Sequence, residues 1–256
     1  MRRPDELREL VEMYFGELAL TPELGGLEEA MRYALSTGGK RVRPVICLAT
    51  GEAAGADAET VLPAAAAIEL VHTFSLVHDD LPSLDNDELR RGQPSVWAQF
   101  GEANAILAGD GLLGEAFRLA LAYPSTGVAR ELAQATLGMI GGQYLDIHGL
   151  APDLASLHRL KTGCLFAASV GMALWAAGVS EPEQRPWREF GDELGLLFQI
   201  VDDILDEDGY YVSHGADGSR ALAEEAAGRA RERLASIPAD TSVLDEIVSA
   251  LAARTV

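Results

Sequence analysis

The feature that most constrains the fold is the spacing of apolar residues along the chain. Over most of the 256 residues, apolar side chains recur at positions i, i+3, i+4 and i+7, and short breaks rich in glycine and proline separate these stretches. This spacing is typical of amphipathic α-helices, whereas the alternation of a half-buried strand is almost absent. We therefore expect an all-α fold, with residues 1–256 forming a single helical-bundle domain. The predicted helices are 5–16, 24–37, 42–54, 58–80, 94–99, 102–121, 126–148, 153–161, 163–178, 184–206, 217–235 and 241–253.

Composition and charge exclude several classes of protein. The chain is 48% apolar and 23% charged, which is ordinary for a globular domain. It carries 20 Lys and Arg against 40 Asp and Glu, a net charge of −20. Such a charge disfavours binding to nucleic acid or to an anionic membrane surface. Cys47 and Cys164 lie far apart in apolar stretches and are expected to be small core residues.

A second question is whether any segment enters a membrane. Residues 162–180 contain no charge, which is close to the ~20 residues that span a bilayer. The segment is solitary, contains serine and threonine, and has few positive charges beside it, so we expect a buried core helix and no stable membrane insertion. The N-terminal residues lack the apolar stretch of a secretory signal, and a cytoplasmic location is the expectation.

Two aspartate clusters carry the most informative chemistry. Gln199, Asp202, Asp203 and Asp206 stand at i, i+3, i+4 and i+7, which places them on one face of a helix. Like charges at this spacing destabilise a helix but suit a multivalent cation. In an acidic protein the alternative is a solvated acidic face, and this motif alone does not decide between them.

The other cluster favours the cation site. Asp79 and Asp80 end an apolar helix, Pro82 breaks it, and Asp85 follows. The pair Arg90-Arg91 comes directly afterwards and suits bidentate contacts to phosphate. Oxygen ligands without histidine or cysteine point to Mg²⁺, which commonly bridges carboxylates and substrate phosphates.

The two lysines support the same interpretation. The chain has 18 Arg but only two Lys, and both stand at predicted helix breaks that contain glycine: Lys40 directly follows Gly39, and Lys161 precedes Gly163 by two residues. Lysine kept at two such places in an arginine-rich chain indicates compact positive charges with a function, although chance is the alternative.

Together these motifs resemble the trans-isoprenyl diphosphate synthases, or polyprenyl synthetases, of the bacterial short-chain type. The matching segments are 38–44, 72–92, 100–110, 141–146, 161–163 and 198–206. One aspartate motif is weak support, but two of them with GGKRVRP, RRG and KTG are highly specific. The resemblance implies an isoprenoid-synthase helical bundle around a central substrate cavity. It also implies Mg²⁺ as cofactor, with isopentenyl diphosphate and an allylic diphosphate as substrates.

The resemblance also assigns roles to individual residues. The metal-binding set is Asp79, Asp80, Asp85, Asp202, Asp203 and Asp206. The catalytic set adds Lys161, Thr162 and Gln199 to Asp79, Asp80, Asp85, Asp202 and Asp203. The substrate-binding set is Lys40, Arg43, His72, Arg90, Arg91, Lys161, Thr162 and Gln199. Of these, Arg90, Lys161 and Gln199 should contact the allylic substrate, and Lys40, Arg43, His72 and Arg91 should hold isopentenyl diphosphate.

The implied reaction is the condensation of the two substrates to a short-chain trans-prenyl diphosphate. Phe74, with Ser75 beside it, is expected to set the floor of the product pocket, because a phenyl ring below the first motif should stop elongation early. Two extra residues separate the aspartate pair from Asp85, which also resembles bacterial farnesyl diphosphate synthases. We therefore expect a C15 product, with C10 or C20 as alternatives. Residues 103–113 are the expected twofold surface of a homodimer.

One departure from the family pattern follows Asp206. The family usually has a lysine-containing loop there, whereas Glu207-Asp208-Gly209 leads almost directly into Tyr210. Alternatives therefore stay open: a geranylgeranyl diphosphate synthase, or a partner subunit of a heteromeric synthase with impaired catalysis. A terpene cyclase is a further alternative, but it would have no use for the GGKRVRP cation site.

Overall fold

The computed structural model describes residues 1–255, and the structure is 78% helical. The α-helices are α1 Pro4–Glu17, α2 Glu28–Ser36, α3 Val42–Ala53, α4 Ala58–Asp79, α5 Val96–Phe100, α6 Glu102–Ala120, α7 Gly127–His148, α8 Leu154–His158, α9 Cys164–Ala176, α10 Arg185–Asp206, α11 Gly209–Ala235 and α12 Ser242–Ala252. Shorter 3₁₀ turns are Pro22–Leu27, Glu181–Gln184 and Ala253–Thr255, and a π-helical turn covers Arg159–Gly163. The predicted all-α class is confirmed.

The core forms around α4, which packs against α3, α6 and α9. α4 is apolar on all sides, so nearly every residue between Val61 and Leu70 is buried. α9 packs against α3, α7 and α10. The buried apolar residues of these helices form one continuous cluster, in which Cys47 is fully buried.

One helix and one uncharged segment are apolar enough to be compared with a membrane span. α4 could span one by length and composition, yet 67% of its apolar window is buried inside the protein. The uncharged segment that the sequence analysis singled out contains α9, whose apolar residues are buried among neighbouring helices. Both therefore serve as core helices in this fold.

Two predicted helices differ from the observed ones. The helix predicted over 24–37 begins as a 3₁₀ turn, because Gly25 has φ 52° and ψ −130°, and α2 starts only at Glu28. The helix predicted over 217–235 starts eight residues earlier, at Gly209. Gly209 and Gly215 resembled breaks in the sequence, but only Gly215, with φ 71° and ψ 173°, interrupts the helix.

A short hairpin follows the first aspartate motif and was not predicted. Strand β1, Leu89–Arg90, pairs antiparallel with β2, Gln93–Pro94, so that Arg90 lies opposite Gln93. Arg91 and Gly92 form the two-residue turn with φ 53° and 77°. Positive φ at both central residues is the geometry that tight hairpins prefer. The hairpin folds the Arg90-Arg91 pair back over the end of α4.

Candidate active site

A cavity of about 970 Å³ opens between the elements that carry the predicted site residues. Its wall comes from α3, α4, the hairpin, α7, the π-helical turn and α10. The predicted residues that line it are Lys40, Arg43, His72, Phe74, Ser75, Asp79, Arg90, Arg91, Lys161, Thr162 and Asp202. The predicted residues outside this lining are Asp80, Asp85, Gln199, Asp203 and Asp206.

The C-terminal end of α4 places the first aspartate motif. Asp79 lines the cavity, and its carbonyl accepts a hydrogen bond from the Asp85 N–H at 2.9 Å. Burial and the nearby Asp85 carboxylate raise the pKa of Asp79 to about 6, although Lys161 and Arg90 act in the opposite direction. Asp85 itself is exposed on the segment that follows α4. The Asp79 carboxylate is therefore held where a positive partner would stabilise its charge.

Asp80 turns away from Asp79 and is 2% exposed. Arg90 donates to its carboxylate from Nε at 3.0 Å and also from a terminal nitrogen. A buried carboxylate needs such a partner, because charge loses hydration on burial. Asp80 thus fixes the arginine that the hairpin brings to the cavity wall. Arg91 donates to the Gly38 carbonyl and lies against Gly39, where a Cβ would come within 2.8 Å of its guanidinium.

The GGKRVRP segment splits into groups with different surroundings. Lys40 and Arg43 line the cavity. The Arg43 guanidinium stacks 4.6 Å from the Phe166 ring centre and 5.8 Å from that of Phe198. Arg41 is instead anchored in the protein by Glu12 and Glu69, at 2.7 and 2.9 Å. Arg41 also borders the cavity, but these two ion pairs fix its guanidinium in the protein.

His72 lies close to these arginines in the cavity wall. Burial lowers the pKa of its imidazole well below the ordinary value, and Arg43 and Arg91 lower it further. The ring is therefore neutral at physiological pH, and it can offer one N–H donor and one acceptor nitrogen. Glu69, a buried acid on α4, also lines this part of the cavity. Sequence reasoning missed Glu69, although an acid within the apolar stretch of α4 was a usable signal.

The second aspartate motif divides at the end of α10. Asp202 lines the cavity, and its pKa is raised by burial, Asp206 and Asp203 and lowered by Arg43 and Lys40. Asp203 is 6% exposed and points into the connection between α10 and α11. It accepts hydrogen bonds from Gln199 Nε2 at 2.7 Å and from the Tyr210 N–H at 2.8 Å. The carboxylate thereby satisfies a backbone donor in the first turn of α11.

The opposite wall joins α7 to the π-helical turn. Gly142 allows the close approach, since a Cβ there would lie 2.5 Å from the Lys161 backbone nitrogen. Lys161 Nζ bonds to Asp146, while Gln143 and Thr162 line the cavity. Gln143 thus faces the cavity, whereas Asp146 forms an ion pair that joins α7 to the π-helical turn. Irregular π-helical turns of this kind are frequent at functional sites.

Apolar residues form the remaining wall. Phe74 and Ser75 both border the cavity, as expected of residues that limit its depth. The Phe74 ring packs edge-on against His78, with 5.1 Å between ring centres. Ile140 and Ile147 on α7 continue the apolar surface. The cavity thus joins a charged region to an apolar wall.

The carboxylates fit a metal that shares its ligands with a bound anion. Within residues 1–255, no three histidine, cysteine, aspartate or glutamate side chains converge into a metal site by themselves. Asp79 and Asp202 nevertheless face one cavity, and both have raised pKa values. A divalent cation would stabilise both buried carboxylates in their charged form and would complete its coordination with phosphate oxygens. Asp79 and Asp202 are the residues best placed to hold it.

The cavity joins a charged region to an apolar wall, a combination that suits a molecule with an anionic head group and an apolar tail. Residues 25–217 match the sequence profile described as Polyprenyl synthetase. The chain therefore belongs to the polyprenyl synthetase family, whose members use a divalent metal to bind diphosphate.

Individual relatives point to the same family. The chain is 46% identical over 198 residues to "Farnesyl diphosphate synthase" of Geobacillus stearothermophilus, which covers 72% of this chain and 67% of that protein. It is 45% identical over 199 residues to "Heterodimeric geranylgeranyl pyrophosphate synthase large subunit 1, chloroplastic" of Arabidopsis thaliana, covering 70% of this chain but only 54% of that protein. A solved geranyltransferase from Legionella pneumophila has a TM-score of 0.86 at 33% identity, covering 98% of this chain and 96% of that one.

Proposed function

We propose that the chain is a Mg²⁺-dependent prenyltransferase that condenses isopentenyl diphosphate with an allylic diphosphate. The observation that carries this proposal is one cavity lined by Asp79, Asp202, two groups of cations and an apolar wall. Each part matches a part of the two substrates. The carboxylates would hold metal bridging to the allylic diphosphate, and the apolar wall would receive its hydrocarbon tail.

The cations divide between the two diphosphates. Lys40, Arg43 and Arg91 lie on the α3 and hairpin side and would bind isopentenyl diphosphate. Arg90 and Lys161 influence the charge of Asp79 directly, so they would bind the allylic diphosphate beside the metal. This division explains how a chain of charge −20 can hold two anions, because the local charge around the cavity differs from the overall charge.

The chemistry requires stabilisation of charge rather than a nucleophilic side chain. When bound, Mg²⁺ supplies positive charge to the departing diphosphate oxygens. Arg90 and Lys161 donate hydrogen bonds to the same oxygens as the C–O bond breaks. Arg43 and Lys40 hold isopentenyl diphosphate so that its double bond attacks the allylic cation, after which a proton leaves, expected to go to the released diphosphate. The lining residues Thr162 and Phe198 would limit the access of water to the cation on their side of the cavity.

The product we propose is farnesyl diphosphate. Phe74 supports this length because its ring borders the cavity on the apolar side of the first motif. A C20 product is the main alternative, since the relatives include both farnesyl and geranylgeranyl diphosphate synthases. A partner-subunit role is the other alternative, because the lysine loop after Asp206 is missing and one relative is described as part of a heterodimer.

We also propose that the chain forms a homodimer through α6. Ile106 and Leu107 are 44% and 53% exposed, although both are large and apolar. They lie within the segment 103–113 that the sequence analysis expects at a twofold surface. A second copy of the same face would bury them, as the self-complementary surfaces of such dimers require.

Product analysis tests the proposed reaction. The purified chain is incubated with Mg²⁺, dimethylallyl diphosphate and labelled isopentenyl diphosphate, and the products are identified by mass spectrometry. We expect a labelled C15 diphosphate. A C20 product would support the proposed reaction but contradict the proposed chain length. If the chain alone elongates nothing, the partner-subunit alternative is favoured.

Phe74→Ala tests the assignment of chain length. Removing the ring enlarges the cavity by about the volume of one isoprene unit, so the product should shift to C20 or longer. Phe117→Ala on α6 is a matched control, because this half-buried ring is not part of the cavity lining. If Phe74→Ala makes the same product as the unmodified chain, the pocket floor lies elsewhere.

A further inference from the structure

Gln143 presents an unpaired polar atom to the cavity wall. Its Oε1 is buried and has no hydrogen-bond partner among the described residues, and the residue lines the cavity. An unpaired buried carbonyl oxygen is destabilising, so the stability of the fold does not account for it. An acceptor of this kind is available to a donor or a positive charge on a bound molecule.

The surroundings of Gln143 indicate which part of a substrate it would meet. On α7 its neighbours along the cavity are Met139, Ile140, Tyr144 and Ile147, so the amide is a polar group within an otherwise apolar and aromatic stretch. The residue before it, Gly142, lies against the backbone of Lys161. The amide therefore lies where the apolar wall meets the π-helical turn.

In the proposed reaction, that turn lies next to the reacting end of the allylic substrate. The Lys161 ammonium is close enough to Asp79 to lower its pKa, and Thr162 lines the same wall. An allylic diphosphate held there by its head group would place its first carbons at the junction between charged and apolar wall. A neutral amide oxygen at that position offers negative partial charge without acting as a competing base or a strong nucleophile.

We propose that the Gln143 carbonyl stabilises the allylic cation formed in the reaction. The inference rests on the proposed function and adds a catalytic residue to it. In that step the C–O bond breaks heterolytically, the electron pair stays with diphosphate, and the positive charge spreads over the allyl carbons. Oε1 faces this charge and forms no bond to it. The double bond of isopentenyl diphosphate then forms the new C–C bond, and the resulting cation loses a proton to the released diphosphate.

Binding of a charged analogue tests this role. Two unreactive analogues are compared by calorimetry with Mg²⁺: an allylic thiolodiphosphate, which is neutral in its tail, and an ammonium analogue in which protonated nitrogen replaces the cationic carbon. Gln143→Met removes the amide dipole but keeps the length of the side chain. The affinity for the ammonium analogue should fall by about ten-fold or more, as expected when a charged group loses a hydrogen bond or a dipole contact. The affinity for the thiolodiphosphate should change by less than about two-fold.

Two further variants make the result specific. Gln134→Met on the exposed face of α7 is the matched control and should change neither affinity. Gln143→Glu keeps an oxygen and adds negative charge, so it should tighten the ammonium analogue. In turnover, Gln143→Met should lower kcat by about 10²-fold with little change in KM for the allylic substrate.

The outcomes separate the inference from the proposed function. If the unmodified chain binds neither analogue, the proposed function and this inference are both wrong. If the unmodified chain binds both, and Gln143→Met weakens both equally or neither, only the role of Gln143 is overturned. If Gln143→Met fails to fold, Gln143→Glu decides: weaker binding of the ammonium analogue would contradict the proposal.

Discussion

The two aspartate motifs begin alike and are supported differently. Each starts with an Asp-Asp pair near the end of a long helix, and in each the first carboxylate lines the cavity while the second turns away. Asp80 is held by the guanidinium of Arg90, which the hairpin carries back to it. Asp203 is held by neutral donors, the Gln199 amide and the Tyr210 N–H. The first motif therefore contains an ion pair with an arginine, whereas the second is hydrogen-bonded to the start of the next helix.

This difference reflects the length of the chain that follows each motif. Nine residues separate Asp80 from Arg90, enough for a turn and a hairpin strand. After Asp206 only Glu207 and Asp208 precede α11. Glu207 takes φ 55° and closes α10, and the next helix starts at once beside Asp203. With a connection this short, one carboxylate of the motif anchors the start of α11.

The largest expected effect tests whether both motifs are needed. Asp79→Ala and Asp202→Ala should each lower turnover by about 10³-fold or more. Each variant removes a carboxylate that would hold the metal, and the metal would stabilise the negative charge on the departing diphosphate. The exposed Asp217→Ala on α11 is the control and should retain full activity. Retention of more than about a tenth of the activity by either cavity variant would contradict a two-sided site.

A smaller effect should distinguish Asp203 from Asp202. Asp203→Ala removes the acceptor for a backbone donor at the start of α11, so the free energy of unfolding should fall by about 1 kcal/mol. Asp202→Ala should leave stability unchanged or raised, because the folded protein disfavours that charge. Urea unfolding in EDTA measures both variants without metal. Equal stability of Asp203→Ala and the unmodified chain would remove the anchoring role.

The fold and part of the site follow from the sequence. Helical periodicity predicted α4 and α10 almost to the residue, since a buried helix needs an unbroken apolar pattern. The family resemblance, and not the periodicity, predicted that Asp79 and Asp202 face one site. The sequence could not separate Asp202 from Asp203, because adjacent helical residues point about 100° apart and the resemblance treated the motif as one set. The hydrogen bond from the Tyr210 N–H to Asp203 could not be predicted either, because it depends on where α11 begins. Gly209 and Gly215 made that start hard to locate in the sequence.

The smallest expected effect concerns pH and the first motif. Burial raises the pKa of Asp79 to about 6, so the folded chain keeps a proton that the unfolded chain loses at lower pH. The stability of the metal-free protein should therefore fall as the pH rises from the ordinary aspartate pKa through about 6. Asp79→Asn removes this dependence and should be more stable than the unmodified chain at about pH 7.5, but not at about pH 4. Thermal unfolding in EDTA at both pH values measures it, and an equal difference at both would contradict the raised pKa.

The most direct measurement of the central claim is metal-dependent binding of an allylic thiolodiphosphate, which occupies the site without reacting. If Asp79 and Asp202 jointly hold Mg²⁺ bridging to diphosphate, calorimetry should show binding with Mg²⁺, and this binding should be lost in EDTA and in either alanine variant. Loss in only one variant would assign the metal to one motif. Equal affinity with and without Mg²⁺, in all three proteins, would contradict the account that two aspartate motifs form one metal-bridged diphosphate site.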